Sequence, residues 1–234
     1  MIPKKIHYVW VGGKEKPAYI KKCLSSWKKH LKDYEIIEWN ENNFDINAHP
    51  FAAAAYKAKK WAFVSDYIRA SVIYSQGGIY LDTDNCVLRS LDDLLDNRAF
   101  VGFENPDYPF TACFGAEKGH PFVKDMLDYY DGVEFSFDKN DQLANVNTKS
   151  VSDILTEKYG CKTGNTEQML DEGIKVYKDT VLCNPSKESY VIHVFTGTWM
   201  EGKKPLKRNI SKFLKVRINT PQKAELYRRF VGRE

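Results

Sequence analysis

The sequence is poor in residues that cross-link a small or secreted protein. Its 234 residues contain five cysteines, an odd number, and none of them forms a Cys-x-x-Cys pair. This pattern argues against a disulfide framework and against a structural zinc site. A chain of this length needs neither, because it buries roughly 70–75% of the surface that its unfolded form exposes. We therefore expect a protein of a reducing compartment, the cytoplasm.

Long apolar runs are also missing. No stretch approaches the roughly 18 apolar residues that a membrane span requires, and the short apolar run near the start stops at Gly12 and Gly13. Secretion and membrane insertion are therefore not expected. Repeats and low-complexity segments are absent, and a composition of 43% hydrophobic and 28% charged residues is that of a globular protein. We expect one domain over residues 1–200 and an extension over 201–234.

Charge is distributed unevenly between these two parts. Residues 201–234 carry eleven Lys or Arg and three Glu, a net charge of +8 in a chain whose total is +4, which leaves the first 200 residues at −4. Within 203–217, apolar residues recur at helical spacing among the cations: Leu206, Ile210, Phe213 and Leu214. This pattern is typical of a helix that binds an anionic membrane surface, and equally of a helix that docks on the domain by the same stripe. Nucleic acid is not expected, because no reading-helix motif accompanies the charge.

Strand and helix patterns alternate along the body of the chain. Apolar runs rich in β-branched and aromatic residues predict strands at 5–11, 34–39, 79–84, 99–103 and 190–195. Helical spacing predicts a helix after Pro17, a helix over 51–76 that stops at Gly77 and Gly78, and a helix over 120–130. This order predicts an α/β fold with a mostly parallel sheet flanked by helices, in which ligands bind at the carboxyl ends of the strands.

The most informative stretch is Gly77–Asp84, GGIYLDTD. Asp82 and Asp84 follow a short apolar strand, and since strand side chains alternate, both are expected to project to the same side. A pair of carboxylates suits Mg²⁺ or Mn²⁺ better than zinc. Asp-x-Asp is also common as a solvent-facing turn, so the motif alone leaves both interpretations open.

Four segments together resemble the DXD-containing sugar transferases of glycosyltransferase family 32. In chain order they are residues 6–13 (IHYVWVGG), 63–69 (FVSDYIR), 77–84 (GGIYLDTD) and 193–199 (HVFTGTW). The resemblance implies a GT-A fold, a nucleotide-sugar donor, a divalent metal ion and retention of anomeric configuration. One departure is Thr198, at a position where the family usually has serine.

The resemblance also implies roles for individual residues. Asp82, Asp84 and His193 would hold Mn²⁺ or Mg²⁺, and Asp66, Arg69 and Asp84 are the catalytic candidates. The implied donor-binding set is Trp10, Gly12, Asp66, Arg69, Gly78, Tyr80, Asp82, Thr83, Thr198 and Trp199. Trp10 also resembles the tryptophan on which relatives stack uridine, which implies UDP and not GDP as the donor nucleotide.

Other interpretations of these residues stay open on the sequence alone. Asp66 and Arg69 lie three apart on a helix and equally fit an ordinary intrahelical ion pair. Tyr80 fits packing beneath the aspartates as well as contact with the sugar. A lone histidine is more often structural than a metal ligand, and His193 is a candidate ligand only through its place in the matched segment.

The function expected from all of this is that of a retaining, metal-dependent glycosyltransferase. It would move a hexose, from UDP-hexose, to a glycan or a lipid-linked saccharide in surface polysaccharide or capsule synthesis, in the cytoplasm or at the inner face of the membrane. One alternative is a haloacid-dehalogenase-like phosphatase, since Asp-x-Asp after a strand is also its nucleophile signature, although Cys86 stands where Thr or Val is usual. The other is a non-catalytic, membrane-associated protein that binds sugar nucleotides.

Overall fold

A seven-stranded sheet forms the centre of the molecule. The computed structural model describes residues 1–137, 147–197 and 206–231, the last range with side chains from 210 onward. The strands are β1 (Lys5–Val9), β2 (Glu35–Trp39), β3 (Gly78–Leu81), β4 (Asn85–Val87), β5 (Ala99–Gly102), β6 (Cys113–Ala116), β7 (Gln168–Leu170), β8 (Ile174–Tyr177) and β9 (Val191–His193). The large sheet has the order β2-β1-β3-β6-β5-β8-β7, while β4 and β9 pair separately.

Most strands of the large sheet run in one direction. β1 is parallel to β2 and β3, and β5 is parallel to β8. β6 is antiparallel to both β3 and β5, and β7 is antiparallel to β8, so β6 and β7 alone run against the other five. The predicted α/β fold with a mostly parallel sheet is therefore confirmed. The carboxyl ends of β1, β3 and β5 consequently open on the same edge of the sheet.

Helices cover both faces of the sheet. They are α1 (Ala18–His30), α2 (Pro50–Lys57), α3 (Trp61–Gln76), α4 (Pro121–Asp131), α5 (Asn147–Tyr159), α6 (Asp179–Leu182), α7 (Leu206–Lys215) and α8 (Pro221–Val231). Strand alternation divides the core: Tyr80 packs with residues of α2 to α5, whereas its neighbours Ile79 and Leu81 pack with Trp27 of α1 and other residues of the opposite face. Both apolar faces of the sheet are thus buried.

The predicted single helix over 51–76 is two helices. The chain leaves α2 after Lys57, takes a left-handed φ of 58° at Lys59, and enters α3 at Trp61. The sequence gives no warning of this break, because the stretch contains neither glycine nor proline and its local spacing continues through it. The predicted stop is confirmed, since Gly77 caps α3 with a φ of 67°.

The two C-terminal helices pack on the domain beside the β4–β9 pair. Val216 lies in an apolar cluster with Cys23, Cys86 and Val194, and Ile218 and Ala224 form another with Leu88 and Ile192. Across the described ranges, no helix is long and apolar enough to cross a membrane.

Candidate metal and donor site

The two aspartates of the DXD motif lie in a turn, not on a strand. β3 ends at Leu81, and the amide of Asn85 donates a hydrogen bond to the carbonyl of Asp82 at 2.9 Å, which closes the turn that leads into β4. The prediction that strand alternation brings the two carboxylates together was therefore wrong, because neither aspartate lies on the strand. The turn nevertheless brings them together at the carboxyl end of β3.

His193 joins the pair through the small sheet. β4 and β9 are antiparallel with Asn85 opposite His193, so the imidazole lies beside the residue that precedes Asn85, namely Asp84. Nε2 of His193 is 3.3 Å from Oδ1 of Asp84. The other carboxylate oxygen accepts hydrogen bonds from the amide and the hydroxyl of Thr196, both at 2.9 Å. Asp84 is thus held on both oxygens, and Thr196 is a site residue that the sequence reasoning missed although it lies inside the 193–199 segment.

Electrostatics favour the charged forms of both partners. Burial alone would raise the pKa of Asp84, but the charge of His193 and the hydrogen bonds from His193 and Thr196 outweigh it and hold the pKa well below its usual range. Burial would lower the pKa of His193, yet Asp84 raises it well above the ordinary value. A metal ion bound to Nε2 of His193 would take the place of a proton. Metal binding and protonation of this imidazole therefore compete.

The three side chains fit a divalent cation. Asp82, Asp84 and His193 each offer one ligand atom, and these atoms all lie within 4.8 Å of one another. Two carboxylates and one imidazole suit Mn²⁺ or Mg²⁺. The predicted metal ligands are therefore brought together, over a sequence separation of more than a hundred residues.

Arg69 links the DXD motif to α3. Its guanidinium is 2.7 Å from the carboxylate of Asp66 and 3.3 Å from that of Asp82, and it donates to the hydroxyl of Ser65 at 3.0 Å. Asp66 and Arg69 are only 7% and 6% exposed, so this is no surface ion pair. Burial raises the pKa of Asp66, Arg69 lowers it and Asp82 raises it, and the net result is a pKa of about 6. The intrahelical pair that the spacing predicts is present, and the same guanidinium reaches the metal cluster.

Tyr80 supports this guanidinium from below. Arg69 lies over its ring at 4.6 Å, and the side chain is 1% exposed. Tyr80 therefore packs beneath the site and does not line it. Thr83 lies in the turn between the two aspartates and is partly exposed.

Gly78 is the one predicted donor-binding residue that the structure places away from the others. It opens β3 at the end opposite Asp82, with a φ of 114°. A side chain there would meet the carbonyl of Lys5 at 2.8 Å and the ring of His7 at 2.9 Å. The glycine is therefore required by strand packing and not by a ligand. Thr198 and Trp199 lie outside the described residues.

Trp10 and Gly12 follow β1, whose carboxyl end lies on the same edge as that of β3. The indole of Trp10 donates to the carbonyl of Lys14 at 2.7 Å, and the Lys16 ammonium lies 5.3 Å from the ring centre. Gly12 has a φ of 89°, and a side chain there would come within 2.7 Å of Trp61. The ring of Trp10 is thus fixed at the edge and remains partly exposed.

Known proteins resemble this chain over the segment that forms most of the site. The family described as "Glycosyltransferase sugar-binding region containing DXD motif" matches residues 17–101. Inositol phosphoceramide mannosyltransferase 3 of Schizosaccharomyces pombe is 31% identical over 130 residues, which are 54% of this chain and 36% of that protein. The uncharacterized glycosyltransferase L373 of Acanthamoeba polyphaga mimivirus is 26% identical over 221 residues, which are 85% of this chain and 84% of that protein. Among solved structures, the PaToxG glycosyltransferase is 19% identical with a TM-score of 0.49, over 67% of this chain and 69% of that chain.

The share of each relative's length that this chain covers differs between the relatives. It spans about a third of the fungal mannosyltransferase and most of the viral protein. The shared region includes Asp66, Arg69, Asp82 and Asp84, whereas His193 lies beyond the family match. The predicted resemblance to DXD-containing sugar transferases is confirmed for that region.

Proposed function

We propose that this chain, which carries the sugar-binding region of the DXD-containing glycosyltransferases, is a metal-dependent hexosyltransferase that retains the anomeric configuration of its donor. The observation that supports this most is the cluster of Asp82, Asp84 and His193 at the carboxyl edge of the sheet, with Arg69 beside it. Its donor would be a nucleoside-diphosphate hexose. Its acceptor would be a glycan or a lipid-linked saccharide in surface polysaccharide synthesis.

The transfer breaks the bond between the anomeric carbon and the diphosphate oxygen and forms a bond from that carbon to an acceptor oxygen. The acceptor's proton leaves with the diphosphate. Asp82, Asp84 and His193 would hold a divalent cation, which would supply positive charge to the departing diphosphate. Arg69 faces the same region and would donate hydrogen bonds to phosphate or sugar oxygens of the donor. Asp66 fixes the guanidinium through its ion pair and would accept a hydrogen bond from a sugar hydroxyl.

The nature of the donor rests on two separate observations. A partly exposed Trp10 at the carboxyl end of β1 supports stacking of a base and, with it, the expectation of UDP. The name of the fungal relative, a mannosyltransferase, makes mannose the first hexose to test. A donor panel therefore needs UDP-glucose, UDP-galactose and GDP-mannose.

A thermal-shift screen should reveal the donor base. With Mn²⁺ and a cognate nucleotide at about 100 times its Kd, ligand binding adds about 2.7 kcal/mol to stability, or about 5–10 °C in Tm for a chain of this size. We expect this shift for UDP with Mn²⁺, and a much smaller shift for UDP with EDTA. Equal shifts with and without the metal would contradict the role given to the DXD cluster. A shift with GDP but not with UDP, both in Mn²⁺, would show that the donor base is guanine and not uracil.

The C-terminal helix α7 carries its apolar stripe on the outside. Ile210 and Phe213 are 53% and 55% exposed and Leu214 is 37% exposed, whereas Lys215 on the opposite side is 3% exposed. These three residues of the stripe therefore do not dock the helix on the domain, which was one of the two predictions; the side chain of Leu206 lies outside the described residues. Leu226, Phe230 and Val231 of α8 are exposed as well. Apolar side chains among this many cations support the other prediction, an anionic membrane surface bound through 203–217, where a lipid-linked acceptor would be reached.

Vesicle binding tests this surface. The protein should bind vesicles of phosphatidylcholine with 30% phosphatidylglycerol, bind pure phosphatidylcholine weakly, and dissociate at high salt because the attraction is screened. Phe213→Ser should weaken binding about 10–100-fold, since burying a phenylalanine contributes about 1.5–3 kcal/mol. Met169→Ser is the matched control, because Met169 is an equally exposed apolar residue on β7. Equal loss in both variants, or binding that ignores lipid charge, would contradict the proposal.

A further inference from the structure

Glu104 lies at the carboxyl edge of the sheet, directly after β5. β3 and β5 run in the same direction on either side of β6, so Glu104 and Asp82 follow strands that end on the same edge. The backbone at Glu104 is fixed, because its amide donates to the carbonyl of Tyr108 at 2.9 Å across a short turn. Asn105 stabilises this turn by accepting hydrogen bonds from the amides of Asp107 and Tyr108. The backbone that carries the Glu104 side chain is thus fixed by these hydrogen bonds.

A second set of contacts connects Glu104 to the metal cluster. The thiol of Cys183 lies 3.9 Å from the carbonyl oxygen of Glu104, and the amide of His193 donates to the carbonyl of Cys183 at 2.8 Å. Cys183 therefore contacts the backbone of both Glu104 and His193. Burial raises the pKa of Glu104; the charge of His193 lowers it, and those of Asp82 and Asp84 raise it. These influences agree with the position of Glu104 at the same edge of the sheet as Asp82.

The other acids of the site each have a cationic partner. Arg69 pairs with Asp66 and Asp82, and His193 pairs with Asp84. Over the described ranges, the carboxylate of Glu104 has neither a salt bridge nor a hydrogen-bond donor, although the residue is half-buried. It also supplies no ligand atom to the cluster of Asp82, Asp84 and His193. An acid in such a place, without a partner and outside the metal ligands, is unusual for a purely structural residue.

We propose that Glu104 binds the attacking hydroxyl of the acceptor. A carboxylate accepts hydrogen bonds from hydroxyl groups. Arg69, the cation that would hold the donor phosphates, pairs with Asp66 and Asp82 and not with Glu104, so we place Glu104 on the acceptor side of the metal ion. The hydrogen bond would orient the acceptor oxygen towards the anomeric carbon, and the acceptor's proton would leave with the diphosphate. This assignment rests on the proposed transferase function and adds to it the residue that defines where the acceptor sits.

Donor hydrolysis tests the assignment without a known acceptor, because water then takes the place of the attacking hydroxyl. Wild type, Glu104→Gln and Asp107→Asn are compared with Mn²⁺ and each of UDP-glucose, UDP-galactose and GDP-mannose. Glu104→Gln should lower kcat for hydrolysis about 10²-fold through misplacement of the nucleophile, with the Kd of the Mn²⁺–nucleotide complex within about twofold of wild type. Asp107→Asn, an exposed acid in the same turn, should leave both quantities unchanged.

The possible results separate this assignment from the function on which it rests. If wild type and Glu104→Gln hydrolyse the donor equally, Glu104 is not at the acceptor. If Glu104→Gln weakens Mn²⁺ or nucleotide binding tenfold or more, Glu104 acts on the donor side and the assignment is wrong. If wild type hydrolyses none of the three donors and binds none of their nucleotides, the proposed function itself fails, and the assignment fails with it.

Discussion

Replacing Asp82 and Asp84 together by alanine is expected to lower transfer and donor hydrolysis by at least about 10³-fold, because the diphosphate then leaves without a neutralising cation. The same variant should lose the Mn²⁺-dependent part of the nucleotide thermal shift, since two of the three clustered ligand atoms are gone. Activity is measured by release of the nucleoside diphosphate, and metal binding by calorimetry with Mn²⁺ and nucleotide.

Two controls make this result interpretable. The double variant Asp33→Ala with Asp171→Ala removes two exposed aspartates and should keep both activity and metal binding. Asp82→Asn with Asp84→Asn keeps the shape of the turn and should be as inactive as the alanine variant, because a neutral amide is a poor ligand for the ion. A folded alanine variant that still binds nucleotide in a Mn²⁺-dependent way would place the metal elsewhere and overturn the proposed function.

Arg69→Ala should damage both stability and activity. The guanidinium is buried between Asp66 and Asp82, and its removal leaves the carboxylate of Asp66 buried without a counter-ion. Breaking a buried ion pair in this way costs about 3–5 kcal/mol, measured as the free energy of unfolding in urea. Activity should fall about 10²–10³-fold if the same guanidinium also stabilises the diphosphate in the transition state. Arg98→Ala is the control, because Arg98 makes two comparable ion pairs in solvent, where the loss is about 0–1 kcal/mol.

The stability of Arg69→Ala should also depend on pH. Burial already raises the pKa of Asp66 to about 6 with Arg69 in place, and without this cation the pKa rises further. The folded state then binds a proton more tightly than the unfolded state, so stability falls as pH rises. The deficit against wild type should therefore be smaller at pH 5 than at pH 8. An equal deficit at both values would mean that Asp66 is not the group left uncompensated.

Local sequence patterns predicted those parts of the site that depend on neighbours in the chain. The apolar run before Asp82, the glycines that stop α3 and the spacing of Asp66 and Arg69 each reflect interactions within a few residues. The same patterns failed where residue spacing does not determine the backbone conformation. Asp82 and Asp84 are brought together by a turn and not by strand alternation, and the break at Lys59 has no local signal. Its position in the motif predicted that Gly78 binds the donor, but Gly78 lies at the opposite end of β3 from Asp82, where it packs against Lys5 and His7.

The sequence by itself determined the α/β alternation, the pair of aspartates after a buried strand and the basic, amphipathic character of the C-terminal segment, because each is a matter of residue type and short spacing. Tertiary structure alone decided that Arg69 bridges Asp66 and Asp82, and that Thr196 binds Asp84 from 112 residues away. It also placed Glu104 at the same edge of the sheet, with no cationic partner among the described residues. It also decided that the apolar stripe of α7 faces solvent. The physical reason is common to all four: periodicity shows that a residue has an apolar or a charged side, but strand register and packing determine what that side meets.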